Sequence, residues 1–233
     1  MMRVHLSKRL LSVASHVHET GVVADVGCDH GFTSIYLATE ENIKHVIAMD
    51  IGEGPLSRAK EHMKEYHAET KVSIRQSDGL EKLEAGEADT ILISGMGGIL
   101  MCRILEKDMH VVKSTKELVL SPQSDIPMVR KCLHRIGFRI DEEDMVYDQG
   151  KYYVIIHAVP GSERYEDEVF YRYGKCLIME KNPVFLEYIK LRKKQTEKII
   201  GSMEEKKLSS EGEERLELLR QEGEQLEQIL REV

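Results

Sequence analysis

Several features are missing from this 233-residue chain. No run approaches 18 consecutive apolar residues, which excludes a membrane-spanning helix. The opening Met1-Met2-Arg3-Val4-His5-Leu6-Ser7 has no apolar secretory region, so the expected compartment is the cytoplasm. Cysteine is scarce: Cys28, Cys102, Cys132 and Cys176 lie 74, 30 and 44 residues apart, with no CxxC pair. Neither a zinc cage nor a disulfide framework is expected, and no metal is called for. Positive charge is not in excess. Thirty-three Lys+Arg face 41 Asp+Glu, a net charge of −8, which excludes a basic coat but leaves room for one basic face. No repeat of solenoid period occurs.

What is present divides in two at Val159-Pro160-Gly161-Ser162, where proline and glycine punctuate the chain. Residues 1–160 alternate short apolar runs with amphipathic stretches. The runs are Val22–Val26, His45–Asp50, Lys71–Arg75, Thr90–Ser94 and Glu117–Leu120. Each is short and apolar on both faces, as a strand between helix layers must be. Helical stretches fall near 32–41, 55–67, 98–109 and 125–136, and an amphipathic helix over 7–18 precedes the first strand. This alternation predicts βαβ units in a doubly wound, largely parallel sheet. The last two strands, near 138–145 and 152–159, are separated by Asp148-Gln149-Gly150. That gap is too short for a parallel crossover and implies an antiparallel hairpin. The expected domain is α/β, with seven strands in a Rossmann-like sheet.

Residues 161–233 read as a second, helical domain. Tyr165, Phe170, Tyr171 and Tyr173 form an aromatic stretch suited to junction packing. Asn182-Pro183 reads as an N-cap with proline at the first helical position. A helix then runs to Lys207, with Leu186, Ile189, Ile199 or Ile200, and Met203 on one stripe, and Ser209–Gly212 breaks it. A second helix carries Leu216, Leu219, Leu226, Leu230 and Val233, a heptad seam with Gly223 in the missing slot. The two helices are expected to fold back as an antiparallel coiled-coil hairpin.

The densest chemical signal is Ala24-Asp25-Val26-Gly27-Cys28-Asp29-His30-Gly31-Phe32, at the turn from the first strand into a helix. Gly27 and Gly31 permit positive φ and close approach of backbone to a ligand. The helix N-terminus offers free amide groups. Asp50, at the end of the second strand, is placed to accept from both hydroxyls of a ribose. After the third strand, Asp78 of Ser77-Asp78-Gly79-Leu80 can accept from the exocyclic amine of an adenine. Acids at successive strand ends describe a nucleoside cofactor lying across the sheet edge. A dinucleotide-binding loop wants G-x-G-x-x-G, which is absent, and Asp29 would repel a pyrophosphate. An adenosyl sulfonium amino acid carries no phosphate, and its ammonium can pair with Asp25 or Asp29. S-adenosylmethionine therefore fits better than NAD. The alternative is that Asp25 and Asp29 merely cap the helix.

These motifs, with Ala48-Met49-Asp50 and Ser94-Gly95-Met96-Gly97-Gly98, resemble the bacterial tRNA (adenine-22, N1)-methyltransferases, the TrmK family. The opening Leu6-Ser7-Lys8-Arg9-Leu10, Asn182-Pro183 and the helical hairpin are similar as well, so the resemblance covers nearly the whole chain. One departure stands out. Many members read Gln-Pro-Asn after the fifth strand, where this chain has Ser121-Pro122-Gln123-Ser124; Gln123 still offers a donor and an acceptor to a base.

The resemblance implies methyl transfer from S-adenosylmethionine to N1 of an adenine in tRNA. The sulfonium is already activated and N1 is a neutral nucleophile. Placement alone can then supply about 7–11 kcal/mol of the barrier reduction. Charge developing on the base calls for a carboxylate or carbonyls nearby. The cofactor would lie on Asp25, Gly27, Asp29, Gly31, Asp50, Asp78, Gly79, Ser94 and Gly95. The acceptor side would use Asp29, His30 and the backbone of Gly95 and Met96. Phe32, Tyr36 or Met96 would stack on the base, although Tyr36 reads better as a buried helix residue.

A tRNA partner needs clustered cations. Residues 161–198 hold nine basic and seven acidic side chains, and residues 199–233 hold five and ten. Lys8, Arg9, Lys190, Arg192, Lys193, Lys194 and Lys198 are the expected phosphate contacts, against the alternative of a solvated face with intrahelical pairs. Three rival readings remain: a non-catalytic nucleotide-binding module recruiting a protein partner, a methyltransferase acting on a small molecule or protein, and an NAD-dependent oxidoreductase. The residues alone leave the tRNA species and the oligomeric state open.

Overall fold

The structure is a computed structural model that describes residues 3–41, 43–205 and 207–232. Seven strands form one sheet: β1 (Val22–Val26), β2 (His45–Asp50), β3 (Val72–Gln76), β4 (Thr90–Ser94), β5 (Glu117–Ser121), β6 (Phe138–Asp148) and β7 (Lys151–Pro160). Their order is β3-β2-β1-β4-β5-β7-β6. The first five are parallel, and β7 runs antiparallel to both β5 and β6. The β6–β7 loop is Gln149-Gly150, both at positive φ (47° and 83°), as a two-residue type I′ turn requires.

Crossover helices are α2 (Phe32–Glu40), α3 (Glu53–Glu65), α4 (Gly98–Lys107), α5 (Met109–Val112) and α6 (Ile126–Arg135), and α1 (Lys8–Ser15) precedes the sheet. Ser7 caps α1 by accepting from the Leu10 amide. Alternate strand residues feed two cores. Val23, Val46, Ala48, Leu92 and Val119 pack with α1, α2 and α3 residues such as Val13, Ile35 and Leu56. Ala24, Val26, Ile47, Met49, Ile91 and Ile93 pack with Met101, Leu105, Val129 and Leu133 of α4 and α6.

A β-bulge in β6 between Ile140 and Glu142 leaves Asp141 unpaired in the ladder and reverses the inward–outward alternation. Phe138 and Ile140 face inward before it, and Glu143 and Met145 after it. Glu143 is therefore buried, and it accepts from Arg130 Nε at 2.7 Å. The other end of that guanidinium donates to the carbonyls of Tyr171 and Arg172, joining α6, β6 and the segment beyond residue 160.

That segment holds α7 (Glu168–Tyr173), α8 (Lys175–Met179), α9 (Pro183–Glu204) and α10 (Ser210–Glu232). Tyr165, Tyr171 and Tyr173 are buried junction residues, and Leu177, Phe185 and Ile189 continue the core of the α4–α6 face. Asn182 accepts from the Phe185 amide at 3.0 Å, with Pro183 opening the helix. α9 and α10 form the expected antiparallel hairpin, cross-linked by Arg192–Glu222 and Arg220–Glu204.

Two details differ from expectation. α9 ends at Glu204 rather than Lys207. The break is shorter than Ser209–Gly212, because the Ser209 hydroxyl accepts from the Gly212 amide and starts the next helix there. Of the two candidate isoleucines, Ile200 lies on the seam: a Cβ placed on Gly223 would sit 4.0 Å from Ile200, whereas Ile199 is exposed. Leu216 and Leu226 are buried as expected, and Ile229 joins them. Val233, the last expected seam position, lies outside the described residues.

Candidate active site

β1 and β4 are neighbours, yet the chain leaves β1 toward β2 and leaves β4 toward β5. Their carboxyl ends thus mark the switch point of the sheet, where a crevice opens because successive crossovers diverge. A cleft of about 400 Å³ occupies this point. Asp25, Gly27, Asp29, His30, Asp50, Ser94, Gly95 and Met96 all line it. So do Phe32, Gln123 and Arg9.

Local geometry explains the residue types. Gly27 has φ +75°, and a Cβ there would come within 2.2 Å of Met96 Cε, which leans over the loop. Gly31 has φ +74°, and its Cβ would meet that of Ala59 at 2.9 Å, so only glycine lets α2 start against α3. The amides of Gly27 and Cys28 both donate to the Met49 carbonyl and tie this loop to β2. The Asp50 carboxylate accepts from the Gly52 amide at 2.9 Å and the Asp29 amide at 3.4 Å, which orients it at the cleft.

Asp25 is 3% exposed and accepts from the Ser34 hydroxyl at 2.5 Å. Burial raises its pKa from 3.8 to about 6, the Ser34 hydrogen bond opposes the rise, and the Asp50 charge adds to it. Burial and the charges of Asp25, Asp50 and Asp29 push the neighbouring Cys28 thiol well up, which makes it an inert wall residue. Asp29 is different: it projects into solvent, 3.6 Å from His30 Nε2. Phe32 stacks on His62 at 4.3 Å, with His30 beside both, so the mouth of the cleft is aromatic.

On the β4 side the Ser94 hydroxyl is buried without a hydrogen-bond partner. The Gly95 amide donates to the Ser121 carbonyl, and the Gln123 amide donates to the Met96 carbonyl. The Met96 carbonyl, expected to face the acceptor, is thus already engaged, and the Gln123 side chain stands beside Gly95 instead: a Cβ on Gly95 would lie 3.8 Å from its Nε2.

Some expected residues fall elsewhere. Asp78 and Gly79 do not line the cleft. They follow β3, the edge strand two removed from the switch point, and Asp78 lies 3.7 Å from Lys107 Nζ. Tyr36 packs into the α1–α3 core rather than facing a ligand. Arg192 pairs with buried Glu222 at 2.5 Å, and Lys193 lies within 4.0 Å of Glu197 and Glu227. Their charges are spent inside the hairpin. Lys8, Lys190, Lys194 and Lys198 are exposed and form no ion pair among the described residues. Arg9, expected on the outer face, is in the cleft wall. Sequence reasoning had no signal for that, because helix periodicity places Arg9 on a polar face without saying what the face meets. Gln123 was detectable, since it follows a strand end.

Residues 6–156 match the family model described as "Methyltransferase domain". The Bacillus subtilis tRNA (adenine(22)-N(1))-methyltransferase is 33% identical over 192 residues, 80% of this chain and 81% of that protein. The crystal structure of the B. subtilis m1A22 tRNA methyltransferase TrmK superposes with a TM-score of 0.85 at 29% identity, covering 97% of this chain and 99% of that one. A Streptococcus pneumoniae structure in complex with S-adenosyl-L-methionine superposes with a TM-score of 0.86 at 28% identity, over 97% of this chain and 100% of that one. Likeness at this level over the sheet, the cleft and the hairpin together means that the chain belongs to the methyltransferase-domain family and, within it, to the tRNA (adenine(22)-N(1))-methyltransferases.

Proposed function

We propose that this protein is an enzyme that transfers a methyl group from S-adenosylmethionine to N1 of adenine 22 in tRNA. The observation that carries the reading is the cleft at the switch point, with carboxylates at the ends of β1 and β2 and no phosphate-binding loop. Three acids facing one crevice repel a pyrophosphate and suit a ligand with a ribose diol, an ammonium and a sulfonium. The residues fit that donor: Gly27 leaves room that a Cβ would take, and Asp50 is held at the mouth by two backbone amides.

When bound, S-adenosylmethionine supplies a methyl group already activated on positive sulfur. The chain does the rest. Asp50 accepts from the ribose hydroxyls, and Asp25 or Asp29 pairs with the ammonium. Asp78, outside the cleft lining and after β3, would meet the adenine only of a donor that reaches that edge of the sheet. Phe32 and His30 offer a surface on which a flipped base can stack. Gln123 beside Gly95 and the exposed Asp29 carboxylate flank the acceptor and offset the positive charge that N1 methylation creates. Because proximity contributes most in such a reaction, a cleft that orients donor and base supplies the main part of the machinery.

The division at residue 160 is functional in this reading: residues 1–160 carry the chemistry, and residues 161–233 present Lys190, Lys194 and Lys198 to tRNA. The compartment is then the cytoplasm, where tRNA is found; among the described residues no helix is long and apolar enough to cross a membrane. The test is to incubate the protein with S-adenosylmethionine and unmodified tRNA, then map modified nucleosides by mass. Methyl at N1 of adenine 22 is expected. Absence of any methylated nucleoside would leave the non-catalytic module, and methyl on protein or a small molecule would move the acceptor.

A further inference from the structure

The cleft has an electrostatic imbalance. Asp25, Asp29 and Asp50 line it, and among the described residues Arg9 is the sole lysine or arginine in its wall. Arg9 is held from several sides. Its backbone amide donates to Asp148 at 3.1 Å, and its guanidinium carbon lies 5.1 Å from the centre of the Tyr153 ring. The Ser7 cap fixes the turn of α1 that carries it. None of these contacts uses the guanidinium N–H groups. Nη1 is buried and has no hydrogen-bond partner, and the side chain forms no ion pair among the described residues. A Cβ on Gly95 would lie 3.6 Å from that Nη1, so the guanidinium stands at the β4 end of the cleft, beside Gln123 and the unpartnered Ser94 hydroxyl. Leaving buried donors unmade is costly, and a guanidinium fork matches a planar oxyanion.

The geometry points to Arg9 as the receptor for the α-carboxylate of the methyl donor, at the β4 end of the cleft. This rests on the S-adenosylmethionine reading and adds the one group of that ligand which the acids cannot hold. A carboxylate brought toward Asp25, Asp29 and Asp50 is repelled unless a fixed cation meets it. The ammonium attached to the same carbon finds those acids. A phosphate of the RNA presents similar oxyanion chemistry, but Nη1 is buried in the cleft wall instead of displayed on the outer face where a folded polynucleotide arrives. Arg9 thereby makes the site selective for an amino-acid-bearing adenosyl ligand over a bare thionucleoside.

The experiment compares S-adenosylhomocysteine with 5′-methylthioadenosine, which keeps the adenosyl thioether and lacks the amino-acid head. Calorimetry measures both on the wild-type full chain and on R9Q. Loss of a charge-assisted bond predicts roughly 10- to 100-fold weaker S-adenosylhomocysteine binding in R9Q, with 5′-methylthioadenosine within about twofold of wild type. The thionucleoside also reports that the cleft is folded. R9K, which keeps the charge but not the fork, is expected between the two and provides the same ratio should R9Q bind neither ligand. An unchanged ratio of the two affinities overturns the assignment, whatever their absolute values. A raised KM for tRNA with that ratio intact would assign the oxyanion to RNA phosphate and likewise overturn it. Failure of the wild type to bind S-adenosylhomocysteine would instead defeat the underlying donor reading.

Discussion

Replacing Asp25 by Asn should make the protein more stable and weaken donor binding. Asp25 is nearly inaccessible, and its folded-state pKa of about 6 stands above the unfolded value of 3.8. The folded state therefore binds this proton more tightly than the unfolded state. Above pH 6 both states carry the charge and the full desolvation cost is felt; below pH 3.8 both are neutral and the cost vanishes. A shift of roughly two units corresponds to about 3 kcal/mol, developed between pH 4 and pH 6. Asn keeps an oxygen to accept from Ser34 without the charge. D25N should thus gain up to about 3 kcal/mol at pH 7.5, or about 2–4 °C in Tm per kcal/mol for a chain this size. The gain should shrink to below about 1 kcal/mol at pH 4. Urea unfolding of both proteins at the two pH values measures it, and calorimetry on the same samples reads S-adenosylhomocysteine affinity. A D25N protein no more stable than wild type at pH 7.5, or a gain that does not depend on pH, would refute the claim that this carboxylate is held charged at a cost.

Asp50→Ala should leave the fold intact and weaken S-adenosylmethionine binding by roughly 10- to 100-fold in calorimetry, since it removes a charged acceptor for two hydroxyls. Gly27→Ala should also weaken donor binding. It strains a position at φ +75° by about 1–2 kcal/mol and drives Met96 from its place over the loop. Glu143→Gln should cost about 3–5 kcal/mol in denaturant unfolding, because Arg130 is left charged at 1% side-chain exposure. The double change to Met at both positions should cost less than either single one. Reversing Lys190, Lys194 and Lys198 to Glu should raise KM for tRNA and leave donor affinity unchanged; an unaltered KM would remove the hairpin from tRNA binding. Charge reversal is a cleaner test than deleting 184–233, since Phe185 and Ile189 belong to the core beneath the sheet.

The strands, the crossover helices and the antiparallel terminal hairpin were legible because each is a local pattern. Buried strands are short apolar runs, helices repeat every 3.6 residues, and the short Asp148-Gln149-Gly150 gap permits only an antiparallel return. The place of Asp25 and Asp50 in one cleft was legible for the same reason: strand ends in a doubly wound sheet converge on one edge. The inward turn of Glu143 was not legible. It lies in the run Asp141-Glu142-Glu143-Asp144, which reads as solvated, and only the bulge turns one of these acids into the core.

What the sequence by itself determined is the order of elements, the parallel-to-antiparallel switch and the acids that line the cleft, because periodicity and strand-end position are carried by neighbouring residues. The tertiary structure alone decided where each of these charges went. Arg192 and Lys193 were consumed by acids of the facing helix, Asp78 was left on an edge strand beside Lys107, and Arg9 was carried into the cleft. A charge takes its meaning from the groups within a few ångströms of it, and those groups lie far away along the chain.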